Sequence, residues 1–116
     1  MADPKMEQKI FQLVLETLTR ERGGASQVAD LAEVDRSRVS RWHGGEPPTV
    51  ENRDKILALF LIRERLQHVM TPTTAEKWLT GLNALLGNRR PVDLLRQNRI
   101  AEVLAALEQT QSSSYA

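Results

Sequence analysis

Residues 26–43 read SQVADLAEVDRSRVSRWH, and this stretch decides the fold. Ser26 and Asp35 are residue types that cap helix N-termini, and apolar residues follow each of them at helical spacing. The stretch therefore predicts two short helices joined by a tight turn. Ala29 falls where such helices cross and only a small side chain fits, while Val39 is placed to anchor the second helix. This pattern predicts a helix-turn-helix unit.

The segments on either side of this unit also read as helices. A turn at residues 44–48, with two glycines and two prolines, follows it, and a longer helix is predicted from a cap at Thr49 to about Leu66 or His68. An apolar run at residues 56–62 would wrap round that helix, so it must be buried on more than one side. The helix that precedes the unit has an apolar stripe formed by Met6, Ile10, Leu13, Val14 and Thr17.

The C-terminal half continues the helical pattern, and no stretch of the chain alternates between apolar and polar residues as a strand would. A Thr-x-x-Glu spacing at residues 73–76 predicts a capping box at the start of a helix that runs to Gly87, and Pro91 opens the next helix. The fold class is therefore all-α. The predicted core of this half consists of Trp78, Leu79, Leu82, Leu86, Leu94, Leu95 and Val103.

Three segments follow from this organisation. Residues 1–68 form a helix-turn-helix domain, residues 69–108 form a small helical domain, and residues 109–116 form a flexible tail because their composition is rich in serine and glutamine.

Composition argues for a binding protein and against an enzyme. The chain has 116 residues and no cysteine, and its two histidines, His43 and His68, have no ligand partner at metal spacing on their helices. It contains no phosphate-binding glycine loop and no nucleophile motif. No signal peptide or membrane-spanning run is evident. We therefore expect no catalytic activity, no cofactor, no metal and no membrane association, and a cytoplasmic location.

A polar face remains on the second helix of the unit once Val39 and Trp42 turn into the core. Arginine can fork onto guanine in the major groove or onto phosphate, and serine donates to phosphate oxygens. We therefore predict a DNA-reading surface, supported by one arginine of the following helix. The candidate DNA-binding residues are Arg36, Ser37, Arg38, Ser40, Arg41 and Arg53.

A second interpretation of these arginines is a solvated face balanced by acidic neighbours. Glu33 stands where the turn of such a unit usually has glycine, so it must adopt a strained backbone or a different turn. The formal net charge is only +1, and a monomer would neutralise few phosphates, so we expect a homo-oligomer. The acidic neighbours are Asp30, Glu33, Asp35 and Glu46.

Two parts of the chain resemble known families. Residues 26–48 resemble the Cro/repressor-like (Xre-type) helix-turn-helix family, which implies a dimer whose second helix enters the major groove of operator DNA. From Trp78 onward the chain resembles the toxin-binding domain of Xre/MbcA/ParS-type antitoxins, which are paired with RES-domain toxins. Members often have glycine where this chain has Gln97-Asn98. The likeness is carried by Trp78-Leu79, Asn83, Leu86-Gly87, Pro91 and Asp93-Leu94-Leu95.

The resemblance implies an antitoxin that binds a RES-domain, NAD-consuming toxin and covers its active site with the C-terminal region. It also implies that the antitoxin regulates its own operon by binding operator DNA. The alternative is a stand-alone helix-turn-helix transcriptional repressor without a toxin partner. The candidate toxin-binding residues are Arg89, Arg90, Arg96, Arg99, Ser113, Ser114, Tyr115 and Ala116.

Overall fold

The computed structural model describes residues 3–114 of the chain. Within them every regular element is helical, apart from one isolated antiparallel bridge between Asn83 and Arg89. The predicted all-α fold is therefore confirmed. The helices are α1 (Pro4–Arg20), α2 (Gly24–Ala32), α3 (Arg36–His43), α4 (Val50–Leu66), α5 (Pro72–Thr80), a short 3-10 helix (Ala84–Leu86), α6 (Pro91–Arg96) and α7 (Ile100–Ser114).

The chain divides into two compact units, Met1–Leu57 and Ala58–Ala116, so the division falls inside α4. The boundary expected after residue 68 lies beyond the end of that helix. Most of the apolar run of α4 is buried, as its sequence predicts, although Leu61 remains 40% exposed.

Helix α1 buries a face that includes only Val14 from the apolar stripe predicted by its sequence. Its buried residues are Phe11, Val14, Leu15 and Leu18, whereas Met6, Ile10 and Leu13 stay exposed. Both sets recur at helical spacing, but the buried set contains the aromatic ring, which contributes the largest apolar area. The Phe11 ring meets the Trp42 ring edge to face at a centroid distance of 5.9 Å.

The turn between α2 and α3 accommodates Glu33 in a left-handed backbone conformation, with φ 57° and ψ 44°. The Glu33 amide donates to the carbonyl of Asp30, and the Val34 amide donates to the carbonyl of Ala29 at 3.0 Å. These bonds close the last turn of α2, as they do where glycine occupies this position. The left-handed conformation costs about 1 kcal/mol for a residue with a Cβ. The strained backbone expected at Glu33 is therefore present, and the helix-turn-helix geometry is kept.

Helix α2 begins two residues before the Ser26 cap that the sequence predicts. Gly23 is the N-cap, with φ 78°, and Gly24 is the first helical residue. A Cβ built on Gly24 would lie 2.0 Å from the Leu18 carbonyl oxygen, so α1 and α2 approach too closely for any other residue. The predicted packing positions Ala29 and Val39 are buried, in agreement with the sequence.

Helix α5 differs from its prediction at both ends. Its N-cap is Thr71, whose Oγ1 accepts a hydrogen bond from the Thr74 amide, and not Thr73. Glu76, the expected second half of the capping box, is instead paired with Arg63 at 2.7 Å. The helix ends at Gly81 and not at Gly87, so the predicted core residue Leu82 lies outside it and is 75% exposed.

The backbone of residues 109–114 is helical, because α7 continues through Ser114. This differs from the flexible tail expected over the same residues. Thr110 accepts a hydrogen bond from the Trp78 indole at 3.3 Å, and Gln111 Nε2 donates to the Arg65 carbonyl at 3.4 Å. Side-chain contacts therefore hold this end of α7 within its unit. Residues 115 and 116 lie outside the described part.

Candidate functional site

The N-terminus of α3 is organised by Asp35. Its carboxylate accepts hydrogen bonds from the Arg38 amide at 3.0 Å and from the Ser37 hydroxyl at 2.6 Å. The bond from Ser37, followed by that from the Arg38 amide, lowers the pKa of Asp35 below its usual value. Ser37 donates its only hydroxyl hydrogen to this cap, so it must break that bond before it can donate to a phosphate.

Arg38 and Arg41 project from the exposed face of α3 and share one carboxylate. The Oε2 atom of Glu46 lies 3.7 Å from Nη1 of Arg38 and 3.6 Å from Nε of Arg41. About half of each arginine side chain is exposed, and both distances exceed that of a hydrogen bond. These are weak surface ion pairs, so both guanidinium groups are available to another anion. Arg36 and Ser40 are also exposed on this helix.

Arg53, the sixth candidate for DNA binding, is engaged within its own unit. It lies on α4, and its guanidinium contacts Glu7 of α1 at 3.1 Å and Asp54 at 3.3 Å. Only 26% of its side chain is exposed. Its local role is to join α1 to α4, and a phosphate contact would compete with these two carboxylates.

The four arginines predicted to bind a toxin all form ion pairs in the second unit. Asp93 binds Arg90 and Arg96, each at 2.8 Å, and Arg99 pairs with Glu102 at 2.7 Å. Arg89 reaches the same glutamate at 3.4 Å and donates to the Leu86 carbonyl at 2.7 Å. These ion pairs are all shorter than the two ion pairs of α3, and they fix α6 and the N-terminal part of α7.

Asp93 is the centre of this network. Burial alone would raise the pKa of its carboxyl group, but hydrogen bonds from Arg90 and Arg96 outweigh that effect, and the pKa is lowered. Because the ionised form is favoured in the fold, Asp93 stabilises the second unit at neutral pH.

The loop between α5 and α6 presents two exposed leucines, which we call the leucine pair: Leu82, 75% exposed, and Leu85, 49% exposed. Asn83 fixes this loop through two hydrogen bonds. Its side-chain oxygen accepts from the Leu85 backbone amide at 2.9 Å, and its backbone amide donates to the Arg89 carbonyl at 3.0 Å. Gly87 completes the turn with φ 66°. An exposed apolar pair on an ordered loop is suited to a protein partner.

Sequence reasoning missed the leucine pair because it extended α5 to Gly87. The sequence signal for the end of α5 was Gly81. In the structure the backbone of Gly81 is extended, and a Cβ at this position would lie 2.8 Å from the Lys77 carbonyl oxygen. Ending the helix at this glycine would have removed Leu82 from the predicted core and placed Leu82 and Leu85 together in the loop.

The candidate tail residues are only partly described. Ser113 lies on α7, and its hydroxyl donates to the Gln109 carbonyl at 3.0 Å. Ser114 ends the helix, and Tyr115 and Ala116 lie outside the described residues. Between residues 3 and 114, no group of three or more His, Asp or Glu side chains is placed to hold a metal ion. No helix in that range is long and apolar enough to cross a membrane.

The fold therefore defines a two-part helical protein, in which a helix-turn-helix unit precedes a small unit with an ordered, exposed leucine pair. The chain is 32% identical over 88 residues to the probable mycobacterial cidal antitoxin Rv3188 of Mycobacterium tuberculosis, which covers 76% of each protein. It is 29% identical over 83 residues to the mycobacterial cidal antitoxin MbcA of the same species, covering 71% of this chain and 74% of MbcA.

A solved structure agrees with these sequence relatives. A chain in the crystal structure of the M. tuberculosis MbcT–MbcA toxin–antitoxin complex superposes with a TM-score of 0.64 at 26% identity, over 77% of this chain and 81% of that one. No protein-family profile matches the sequence. The chain belongs to the mycobacterial cidal antitoxin family and is an antitoxin of a toxin–antitoxin system.

Proposed function

We propose that this antitoxin neutralises a RES-domain toxin that consumes NAD, by covering the toxin active site with its C-terminal unit. The observation that carries this proposal is the 32% identity to a probable cidal antitoxin over 76% of both chains. The relative MbcA was crystallised in complex with the toxin MbcT, which supports a toxin as the partner of this chain also. Family membership favours this function over the alternative of a repressor with no toxin partner.

The leucine pair is the contact surface that we assign to the toxin. Leu82 and Leu85 are the large apolar side chains most exposed in the second unit, and the Asn83 hydrogen bonds hold their loop in place before any partner arrives. An ordered apolar anchor binds at a lower entropic cost than a flexible one. Our proposal adds four polar contacts, whose ion pairs with Asp93 and Glu102 are already formed: Arg89, Arg90, Arg96 and Arg99.

The first experiment is co-expression of the antitoxin with the protein encoded beside its gene, where our proposal expects a RES-domain toxin, with growth and cellular NAD as readouts. The unchanged antitoxin should preserve both. Leu82→Asp combined with Leu85→Asp should abolish protection, because two charges would be buried in the interface. Val50→Asp makes the same kind of change at an apolar residue that is 64% exposed in the first unit, and it should protect fully. Equal protection by all three proteins would overturn the assignment of the leucine pair.

The role of the C-terminal residues needs two truncations. Removing residues 109–116 also removes the Thr110 and Gln111 contacts of α7, so a loss of protection could arise from altered packing. Removing only Tyr115 and Ala116 leaves those contacts intact. If these residues enter the toxin active site, the short truncation alone should raise NAD consumption. Full protection by the short truncation would exclude that role for Tyr115 and Ala116.

We also propose that the protein represses its own operon through α3. The support is the intact helix-turn-helix geometry and the two half-exposed arginines on its second helix. The test is fluorescence anisotropy with a labelled duplex from the region upstream of the antitoxin gene, with and without toxin, at several salt concentrations. Specific binding should exceed binding to an unrelated duplex and weaken steeply with salt. Equal affinity for both duplexes would exclude autoregulation by sequence-specific binding.

A further inference from the structure

Helix α1 has a second apolar face that remains about half exposed to solvent. We call it the outer stripe: Met6, Ile10, Leu13 and Thr17. The first three side chains are 56%, 45% and 61% exposed. The Thr17 hydroxyl donates to the Leu13 carbonyl at 2.9 Å, so its hydrogen-bond donor is already satisfied on the helix. The alternating spacing of four and three residues is that of a seam between two paired helices.

We infer that the outer stripe is a pairing surface for a second copy of this chain, with the two α1 helices antiparallel. A two-fold axis near the middle of the helix would place Ile10 of each copy opposite Leu13 of the other, and Met6 opposite Thr17. The 17-residue helix is about 25 Å long, so all four layers fit within it. This inference concerns the chain alone and holds whether or not α3 binds DNA.

The charges beside the stripe select a second copy as the occupant. Lys9 and Glu16 are both exposed, flank the stripe on the same side, and form no ion pair with any described residue of their own chain. Antiparallel pairing brings Lys9 of one copy next to Glu16 of the other, and the same axis repeats that contact in reverse. A parallel pair would not bring these two positions together. The flank is therefore electrostatically self-complementary in the antiparallel arrangement only.

The size of the surface sets the strength of the pairing. Each copy contributes three partly exposed apolar side chains, and the dimer has two surface ion pairs. This contact is smaller than the interface of an obligate dimer. We therefore expect a reversible dimer with a Kd of about 1–100 µM for the isolated chain. A contact of this strength would make self-association dependent on concentration.

The experiment is sedimentation equilibrium of the full chain at concentrations from about 5 to 500 µM, a range that brackets the expected Kd. The unchanged protein should pass from monomer to dimer. Leu13→Arg should raise the Kd by at least about tenfold, because a charge would lie at the centre of the seam. Val50→Arg changes an equally exposed apolar residue outside the stripe and should leave the Kd unchanged. A chain that stays monomeric throughout would overturn the inference, as would a dimer that Leu13→Arg does not weaken.

Charge exchange tests the antiparallel register. Lys9→Glu and Glu16→Lys should each raise the Kd by about three- to tenfold, because each turns two attractive contacts into repulsive ones. The double variant Lys9→Glu/Glu16→Lys should return the Kd to within about twofold of the original, since both contacts are restored with exchanged signs. Both side chains are exposed and pair with no charged group among residues 3–114 of their own chain, so these variants keep the fold. A double variant as weak as either single one would refute antiparallel pairing.

Discussion

Both units display arginines on a short helix, but the carboxylates around them differ. On α3, Arg38 and Arg41 share one half-exposed glutamate at more than 3.5 Å. On α6, Arg90 and Arg96 hold one aspartate at 2.8 Å each, and 29% of that aspartate side chain is exposed against 40% for the glutamate. The ion pairs on α3 cost little free energy to break, whereas those on α6 contribute to the stability of the second unit.

The difference shows that an arginine cluster by itself does not identify a binding surface. What decides is the distance and burial of the acidic partner. By that measure α3 has arginines available to an external anion, and in the second unit the exposed leucines are the surface that we propose for a partner. Substituting the arginines and carboxylates of each unit tests this contrast.

The largest effect should come from α3. Replacing both Arg38 and Arg41 with alanine should weaken operator binding by at least about 30-fold, since each arginine in contact with a base is worth about 1–3 kcal/mol. The free energy of unfolding should change by less than about 0.5 kcal/mol, because the lost ion pairs are weak. Anisotropy and urea denaturation measure the two quantities. Arg65→Ala, an exposed arginine of the second unit, is the control and should alter neither.

The reverse pattern should hold in the second unit. Asp93→Asn should lower the free energy of unfolding by about 1–2 kcal/mol, because two short charge-assisted hydrogen bonds are lost, and it should leave DNA affinity unchanged. The lowered pKa of Asp93 means that its stabilising effect is present at neutral pH and is lost as the pH falls through that pKa. Urea denaturation should therefore show the difference between the two proteins shrinking below about pH 4. A difference that grows on acidification would contradict this account of Asp93.

A smaller and opposite effect is expected in the turn of the helix-turn-helix. Glu33→Gly should raise the free energy of unfolding by about 0.5–1 kcal/mol, because glycine adopts the left-handed conformation without a Cβ penalty. Glu108→Gly, in the interior of α7, should lower it by about 1 kcal/mol. Thermal unfolding would distinguish the two, and destabilisation by both variants would show that the Glu33 side chain compensates for its backbone.

The smallest effect is expected from Glu46. Glu46→Gln removes the carboxylate that lies 3.7 Å from Arg38 and 3.6 Å from Arg41, so DNA affinity should rise by about two- to fivefold for operator and unrelated duplexes alike. Glu108→Gln makes the same charge change on α7 as a control. Unchanged affinity in the Glu46 variant would mean that this carboxylate does not compete with DNA.

The sequence predicted the helix-turn-helix well because its determinants are local. Asp35 caps α3 through contacts within three residues, Val39 and Trp42 are buried as their spacing requires, and Glu33 takes the backbone that the turn demands. The left-handed conformation of Asn98 follows the same logic, with φ 61°, because asparagine tolerates this conformation better than most residues. Such features depend on neighbours in the chain and need no knowledge of tertiary packing.

The errors concern the choice between competing local signals. Helix α1 has two apolar faces, and only the packing of Phe11 on Trp42 selects the buried one. Thr71 and Thr73 are both plausible caps, and the ion pair of Glu76 with Arg63, thirteen residues apart, removes the capping box. The candidate DNA residue Arg53 is likewise committed to Glu7, 46 residues away. These outcomes depend on contacts between distant residues, which periodicity does not encode.

The placement of the two tryptophans gives each compact unit its own fluorophore. Trp42 is almost fully buried in the first unit, and Trp78 in the second donates its indole hydrogen to Thr110 near the end of α7. Trp78→Phe leaves an emission spectrum that reports only the helix-turn-helix unit, and Trp42→Phe leaves one that reports only the second unit. The solvent shift and quenching of each signal can therefore test the proposed operator binding and the proposed toxin binding separately in the same protein.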